Sequence, residues 1–135
     1  LWMAYLHPLE FQQVRLLVEV HGEPVCDAER QYFGMDHCHV GQLVAEHWAL
    51  PAEVIEAIYF HHAPDTRAAG NKLVALTHLA ELISNALDLP YREANQVSHL
   101  AATASQTLEL DWSQDFSPVL GRIEARYRYA CILFE

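Results

Sequence analysis

The stretch "QYFGMDHCHVGQLVAEHWALPAEVIEAIYFHH", residues 31–62, carries the pattern that decides the fold. Five of the chain's nine histidines lie in this stretch. Between them, apolar residues recur at spacings of three and four, which is the period of an amphipathic helix. The stretch therefore predicts a pair of helices that carry several imidazoles close to an apolar face.

Start and stop signals divide this part of the chain into helices. Asp36 is predicted to cap a helix that runs to about Trp48, because a carboxylate at that position accepts the free amide hydrogens of the first turn. Pro51 is predicted to open the next helix as its first residue, and that helix should end near His62. Asn71 is predicted to cap a further helix with a regular apolar face.

The rest of the sequence indicates helices as well. Gly22 and Gly34 are expected to end two of them, because glycine readily adopts the left-handed conformation that closes a helix. No alternating run is long enough to predict a strand. The fold class is therefore predicted to be all-α, a bundle of about six or seven helices, with the outer helices near residues 9–20, 25–33, 93–108 and from 117 onward.

Composition and charge limit the function. A chain of 135 residues, 52% of them hydrophobic, suits one domain. Its net charge of −10 repels phosphate groups, which disfavours general nucleic-acid or anionic-membrane binding. No apolar run approaches the roughly 20 residues that span a bilayer. Three cysteines without a CxxC pair suit buried free thiols in a reducing compartment, so the predicted location is the cytoplasm.

The helix that begins near Asp36 should direct one histidine inward. On a helical projection, His37 shares a face with Val40, Val44 and Trp48, while His39 falls on the other side. Gly41 lies one turn after His37 and removes a side chain from the inner face. We therefore expect another helix or a ligand to approach the His37 imidazole closely.

Two later segments supply further candidate ligands. Neighbouring residues of a helix point to different sides, so at most one of His61 and His62 is expected to meet His37, with the other facing solvent or capping the helix. His78 lies on the flank of the next apolar stripe, with Glu81 nearby. Imidazoles that converge from separate helices are suited to Zn, Fe, Mn or Ni. The candidate metal ligands are His37, His61, His62 and His78.

A family resemblance rests on the combination of these motifs. The run "FGMDHCHVGQLVAEHWALPAEVIEAIYFHH" (33–62), followed by "LVALTHLAELIS" (73–84), resembles the HDOD domain, a bacterial signalling module related to the HD superfamily of metal-dependent phosphohydrolases. The resemblance is strongest from about residue 29 to residue 87. It implies an HD-like helical bundle, with residues 1–135 as the C-terminal part of such a domain, a fragment without its upstream helices.

The resemblance also implies a metal site that has lost its acidic ligands. Active relatives of the cyclic dinucleotide phosphodiesterase branch carry an early His-Asp pair, a later His, a His-His pair and a closing Asp. These positions fall, in order, on His7 with Pro8, on His37, on His61 with His62, and on His78. Pro8 has no oxygen to bridge two metals, and His78 replaces the final carboxylate. We therefore predict no catalytic residue and no required cofactor, although the imidazoles could bind one divalent metal weakly.

The resulting functional hypothesis is a non-enzymatic regulatory output domain of bacterial signal transduction. It would act on protein partners of a signalling pathway, and the exposed segment "LWMAYL" (1–6) favours contact with a second copy of the chain. Two alternatives stay open. One is a metal-dependent phosphohydrolase, similar to cyclic dinucleotide phosphodiesterases, with unusual His ligands. The other is a metal or pH sensor, in which clustered imidazoles repel one another when they are protonated.

Overall fold

A computed structural model describes residues 2–66, 70–87, 99–111 and 113–134. Within these ranges the chain forms eight α-helices, a short 3₁₀ helix at Pro64–Thr66 and no strand, which confirms the all-α class. The helices are α1 (Trp2–Leu6), α2 (Pro8–His21), α3 (Val25–Phe33), α4 (His37–His47), α5 (Ala52–Phe60), α6 (Lys72–Ala86), α7 (Ala102–Thr107) and α8 (Ser117–Phe134).

The helix ends follow the predicted capping chemistry closely. The Asp36 carboxylate accepts a hydrogen bond from the His39 main-chain N–H, and the Asn71 side chain accepts one from Leu73 N–H. Gly22 closes α2 with a φ of 69°. Pro51 precedes α5 as its N-terminal cap instead of being its first helical residue. These caps fix where each histidine-bearing helix begins.

Buried apolar residues form two clusters that lie far apart along the chain. Val14, Val18, Val25 and Ala28 hold α2 against α3. Ala75, Ala101 and Ala104 hold α6 against α7. Between these clusters α4 packs on α5, and α5 packs on α6. The middle helices therefore lie between two separately buried regions.

Gly41 sets the distance between α4 and α5. A Cβ atom at this position would lie 2.5 Å from Ile58 Cγ2, which is too close for two carbon atoms. The expected close approach at Gly41 is thus made by a side chain of α5. This approach brings the first turn of α4, with His37, near the end of α5.

Two sequence predictions differ from the structure near helix ends. Trp48 is 64% exposed, because α4 ends at His47 and Trp48 follows the regular helix as its C-terminal cap. The helix predicted near residues 93–108 is represented by α7, and residues 93–98 lie outside the described ranges. Of the helices that the structure describes, none has the length and continuous apolarity needed to cross a membrane.

The last helix packs less than its sequence pattern predicts. None of the α8 side chains described, residues 117–130, is buried. The helical spacing of the sequence predicts an inward face of Leu120, Ile123, Tyr127, Cys131 and Phe134, with Glu124 and Arg128 paired on the outer side. The first three are only half-buried, and the side chains of Cys131 and Phe134 lie outside those that the structure describes. The outer pair is present, with Arg128 Nη2 at 2.7 Å from Glu124 Oε1. The described part of this apolar face is therefore only partly covered.

Candidate metal centre

Three of the four predicted metal residues lie together. His37 begins α4, and His61 and His62 form the turn after α5. The ring centroid of His37 lies 5.5 Å from that of His61 and 4.8 Å from that of His62. The expectation that only one of the pair would meet His37 was wrong, although His61 does cap α5 at its C-terminal end, as the expected alternative had it. Because α5 ends at Phe60, the two histidines lie in a turn, where helical spacing no longer separates them.

A buried carboxylate orients the His37 ring. Glu29 of α3 is 2% exposed. Its Oε2 accepts hydrogen bonds from the His37 main-chain N–H at 2.8 Å and from ring Nδ1 at 2.6 Å. The proton on Nδ1 leaves the lone pair of the ring on Nε2. A charge-assisted bond of this kind fixes both the tautomer and the direction of the ring.

The His62 ring faces the Nε2 side of the His37 ring. The two Nε2 atoms are 2.8 Å apart, and His62 Nδ1 lies 3.1 Å from Glu81 Oε1. Glu29 favours a proton on His37 Nδ1, whereas His62 Nδ1 makes no hydrogen bond to Glu81 in this arrangement. With its proton on Nε2, His62 donates a hydrogen bond to the Nε2 lone pair of His37; with that proton moved to Nδ1, both Nε2 lone pairs face one point and can bind a cation there.

Two thiols adjoin this imidazole pair. Cys38 is buried, and its Sγ lies 3.6 Å from His37 Nε2. A hydrogen bond from Cys38 lowers the pKa of Cys26, and the same bond together with burial raises the pKa of Cys38. The candidate ligand atoms of Cys26, His37, Cys38 and His62 all lie within 4.8 Å of one another. This group, which we call the Cys–His cluster, could hold a metal ion.

A second potential ligand group shares His62. It consists of His61, His62 and Glu81. His61 Nδ1 donates a hydrogen bond to the Ile58 carbonyl at 2.8 Å. Burial lowers the pKa of His61 to about 4, and the positive charge that His62 can carry contributes to the same shift. His61 is therefore neutral at neutral pH, as a metal ligand has to be.

His78 has a different environment from the other three. It is 3% exposed, and its Nδ1 donates to the main-chain oxygen of His61 at 2.6 Å. Its Nε2 accepts a hydrogen bond from Ala101 N–H at 3.1 Å. Both ring nitrogens are thus bonded to main chain, and a metal could bind His78 only after one of these bonds was broken. The structure does not bring it into either ligand group, and its predicted metal role stays a prediction.

The other buried carboxylate near the cluster serves the fold. Asp36 Oδ1 accepts from the main-chain N–H and the ring Nδ1 of His39, and its Oδ2 pairs with Arg30. Burial by itself would raise the pKa of Asp36, but these hydrogen bonds and neighbouring charges lower it below its ordinary value. On its outer side, His39 Nε2 lies 3.1 Å from the Tyr59 hydroxyl, consistent with its predicted outward direction.

The position of the lost His-Asp pair lies apart from both ligand groups. His7 is an exposed residue before α2, and its ring packs near Phe33 with centroids 5.9 Å apart. Pro8 is the first residue of α2. In this part of the described chain, no carboxylate takes the place of the missing Asp at residue 8.

Two clefts give access to the cluster. One, with a volume of about 320 Å³, has Cys26, Cys38 and His62 on its wall. The other, of about 280 Å³, is mostly apolar and reaches His37 from the side of Gly41. The first cleft carries the ionisable side chains of Asp36 and His62 on its wall, and a small ion could reach the cluster from that side.

Sequence reasoning missed four residues of this centre: Cys26, Glu29, Cys38 and Glu81. The cysteines were interpreted as inert buried thiols, because no CxxC spacing marked them. Glu81 was noted only as a neighbour of His78, which it follows by three residues on α6. The available signal for a buried carboxylate was the position of Glu29 in a helix that has Val25 and Ala28 on its inner side.

A comparison with known proteins gives a family match for the N-terminal part of the chain. No curated protein and no solved structure gives a significant match. Residues 1–64 match the sequence model of the HDOD domain. The match includes His37, His61 and His62, and it stops before His78. Residues 1–64 are therefore similar to the HDOD domain family, which is related to the HD phosphohydrolases.

Proposed function

We propose that this chain is a non-enzymatic regulatory domain of a signal-transduction protein and that it acts through protein–protein contacts. The observation that carries the proposal is the use of the buried carboxylates. Glu29 and Asp36 both precede His37 in sequence and lie close to the start of α4, and both are bonded to groups of the protein itself.

Phosphate-ester hydrolysis on two metals needs carboxylates that bridge the ions and balance their charge. Glu29 faces His37 Nδ1, and Asp36 faces Arg30 and His39. Pro8 has no ligand atom at the position of the early Asp. The described residues therefore do not fit a two-metal hydrolytic centre, and this misfit supports a role without hydrolysis.

The surface supports a role in protein contacts. Apolar side chains are exposed on α1 and near both ends of α2, where Tyr5 is 83%, Leu9 72% and Val20 66% exposed. Trp48 adds an exposed aromatic ring next to the apolar cleft. Exposed groups of aromatic and aliphatic residues are typical of surfaces that bind other proteins. The strong negative charge of the chain favours a protein partner over nucleic acid.

The test is hydrolysis of a generic phosphodiester and of cyclic di-GMP with added Mn, Fe or Zn. We expect turnover no higher than that of the metal alone, and no difference between the natural chain and His37→Ala. The control is His47→Ala, which removes an exposed histidine at the end of the same helix. Turnover that persists in His47→Ala and disappears in His37→Ala would show the proposal to be wrong.

A metal-dependent phosphohydrolase is the second candidate, because His61, His62 and Glu81 resemble a one-metal His₂Glu set. In that case Glu81 would supply the carboxylate that residue 78 lacks. The same assay separates the two functions when Glu81→Gln is included. Loss of a measurable activity in Glu81→Gln would favour the enzyme, while absence of activity in every variant favours the regulatory domain.

A further inference from the structure

The geometry points to a structural zinc site formed by Cys26, His37, Cys38 and His62. This site goes beyond the proposed regulatory role and does not depend on it. It also differs from the histidine-only set that the family resemblance implied, because two thiolates take the place of His61 and His78. Four protein ligands fill the coordination sphere of a zinc ion, which is the arrangement of a structural site.

Two of the distances between ligand atoms are close to those of tetrahedral zinc, and all four ligand atoms lie within 4.8 Å of one another. With Zn–S bonds of about 2.3 Å and Zn–N bonds of about 2.05 Å, an ideal tetrahedron needs S···N distances of about 3.6 Å and an N···N distance of about 3.3 Å. Cys38 Sγ lies 3.6 Å from His37 Nε2. The two Nε2 atoms of His37 and His62 are 2.8 Å apart, so they need to separate by only about 0.5 Å.

The charges behind the ligands favour a cation at this place. Glu29 is bonded to Nδ1 of His37, and Glu81 lies beside Nδ1 of His62. A carboxylate on the far nitrogen of a metal-bound histidine fixes the ring and makes it a better ligand. Burying the Glu29 carboxylate is costly unless positive charge lies close by. A zinc ion on the other side of His37 would supply that charge.

The ligand types select the metal. Two thiolates with two imidazoles in a tetrahedral arrangement are characteristic of zinc, whereas magnesium, calcium and manganese prefer oxygen ligands. Binding replaces the protons of both thiols, so each Zn²⁺ that enters releases two protons from Cys26 and Cys38. The cleft of about 320 Å³ on whose wall both cysteines and His62 lie provides an access route for the ion.

The site would connect three separate parts of the fold. Cys26 belongs to α3, His37 and Cys38 begin α4, and His62 follows α5. A bound ion would link these elements directly, in a region where α3 and α4 otherwise have few packing contacts. Its expected role is therefore to hold the first turn of α4 and the turn after α5 in one arrangement.

The first experiment is metal binding by the reduced chain, after chelator treatment and transfer to metal-free buffer. Elemental analysis and competition titration should give one Zn²⁺ per chain. Substitution with Co²⁺ should give the intense visible bands of tetrahedral cobalt and an ultraviolet thiolate-to-cobalt band. At zinc concentrations near 100 times the Kd, the unfolding midpoint should rise by roughly 10 °C.

Variants separate this site from its neighbour. Cys38→Ser and Cys26→Ser should each remove most of the thiolate band and weaken zinc binding more than about 100-fold, beyond the effect of losing an outer carboxylate. His47→Gln, at an exposed position on α4, should bind zinc like the natural chain. Circular dichroism checks that each variant is folded. Since Cys26 is only half-buried, its variant is the one that is more tolerant of substitution.

Three results would overturn the inference. One is a folded, reduced chain that binds no stoichiometric zinc. Another is a cobalt spectrum without a thiolate band. The third is unchanged zinc binding in both cysteine variants together with loss of binding in Glu81→Gln, which would place the ion at His61, His62 and Glu81 instead. Each result can be obtained without any enzymatic assay, so it leaves the test of the regulatory role independent.

Discussion

Two buried histidine sites, built from the same residue type, have opposite surroundings. At the Cys–His cluster, the Nε2 atoms of His37 and His62 face each other and two thiols, with a carboxylate beside each Nδ1. At the α6–α7 contact, both nitrogens of His78 are bonded to main-chain groups. The first site gathers ligand atoms around one point. At the second site, both ring nitrogens are used in hydrogen bonds that hold two chain segments together.

The difference shows that burial alone does not indicate what a histidine does. His78 is more buried than His37, and it is the one with no nitrogen left to bind a ligand. The atoms that contact the ring decide the role. A carboxylate on one nitrogen leaves the other available and makes it a stronger ligand, whereas two main-chain bonds satisfy the ring completely.

Replacing His78 should give the largest loss of stability. His78→Ala leaves the His61 oxygen and the Ala101 N–H buried without their ring partner, and it opens a cavity, so we expect a loss of about 4 kcal/mol. Urea unfolding measures it. His78→Gln, whose amide can both donate and accept, should recover part of this loss.

The same variant tests the contrast between the two sites. In folded His78→Gln, the zinc affinity should stay within about threefold of the natural chain, because no zinc ligand has been removed. A large loss of zinc binding in a folded His78→Gln protein would instead make His78 a ligand, and the two sites would then be one.

Replacing Glu29 should affect the Cys–His cluster and leave the His78 contact intact. Glu29→Gln keeps the shape of the side chain but removes the charge that orients His37. We expect zinc affinity to fall 10- to 100-fold, or about 1.4–2.7 kcal/mol. Competition titration measures the change. Glu46→Gln, an exposed substitution on α4, is the matched control and should have no effect on affinity.

A change at Gly41 should disturb the cluster from outside it. Gly41→Ala forces Ile58 or a whole helix to move, because the new Cβ would lie 2.5 Å from Ile58 Cγ2. We expect a loss of about 1–3 kcal/mol, measured by thermal or urea unfolding. Gly121→Ala in α8 meets no atom within 4 Å and should stabilise the chain by about 0.5–1 kcal/mol. Equal effects of the two substitutions would contradict the close α4–α5 contact.

The smallest effect is expected at Asp65, on the His78 side of the comparison. Asp65 Oδ1 accepts hydrogen bonds from the main-chain N–H of Thr103 at 3.0 Å and from its hydroxyl, so it caps α7 from a distant part of the chain. Asp65→Asn should cost about 1 kcal/mol or less. Asp111→Asn changes a similar set of bonds within one turn and should cost less.

The Asp65 contribution should depend on pH with a definite sign. The bonds from the Thr103 side chain and main chain lower the pKa of Asp65 below its ordinary value of 3.8. The folded state therefore favours the charged carboxylate, and this stability is fully present above pH 3.8 and is lost as the pH falls through the lowered pKa. The difference in urea midpoint between Asp65→Asn and the natural chain should stay constant from pH 5 to 7 and shrink below about pH 4. A difference that grows in acid would contradict this assignment.

Much of the fold could be predicted from local signals. Asp36, Asn71 and Gly22 act as caps through their own side chain or backbone freedom, so their roles are readable from the sequence. Gly41 also carried a correct signal, because a missing side chain on an inner face implies a close neighbour. Trp48 was misplaced because its position depends on where α4 stops, and helical projection assumes that the helix continues.

The candidate site was predictable only in part, because it depends on contacts between distant residues. His37 and the His61–His62 pair were found from their helical positions and the family pattern. Glu29 could not be connected to His37 from the sequence, since the two lie on different helices and only tertiary packing brings the carboxylate to Nδ1. The cysteines were missed for the same reason, as Cys26 and Cys38 approach each other across the α3–α4 connection.

The two bonds of His78 also determine how the protein opens. One imidazole joins the main chain of the His61–His62 turn to the first residue before α7, so neither segment can separate without releasing the ring. In hydrogen exchange, the Ala101 amide would then report the same opening event as the turn that carries His61 and His62. The packing of α6 on α7 therefore partly sets how long the arrangement that presents His62 to the cluster persists, although α7 contributes no ligand to that cluster.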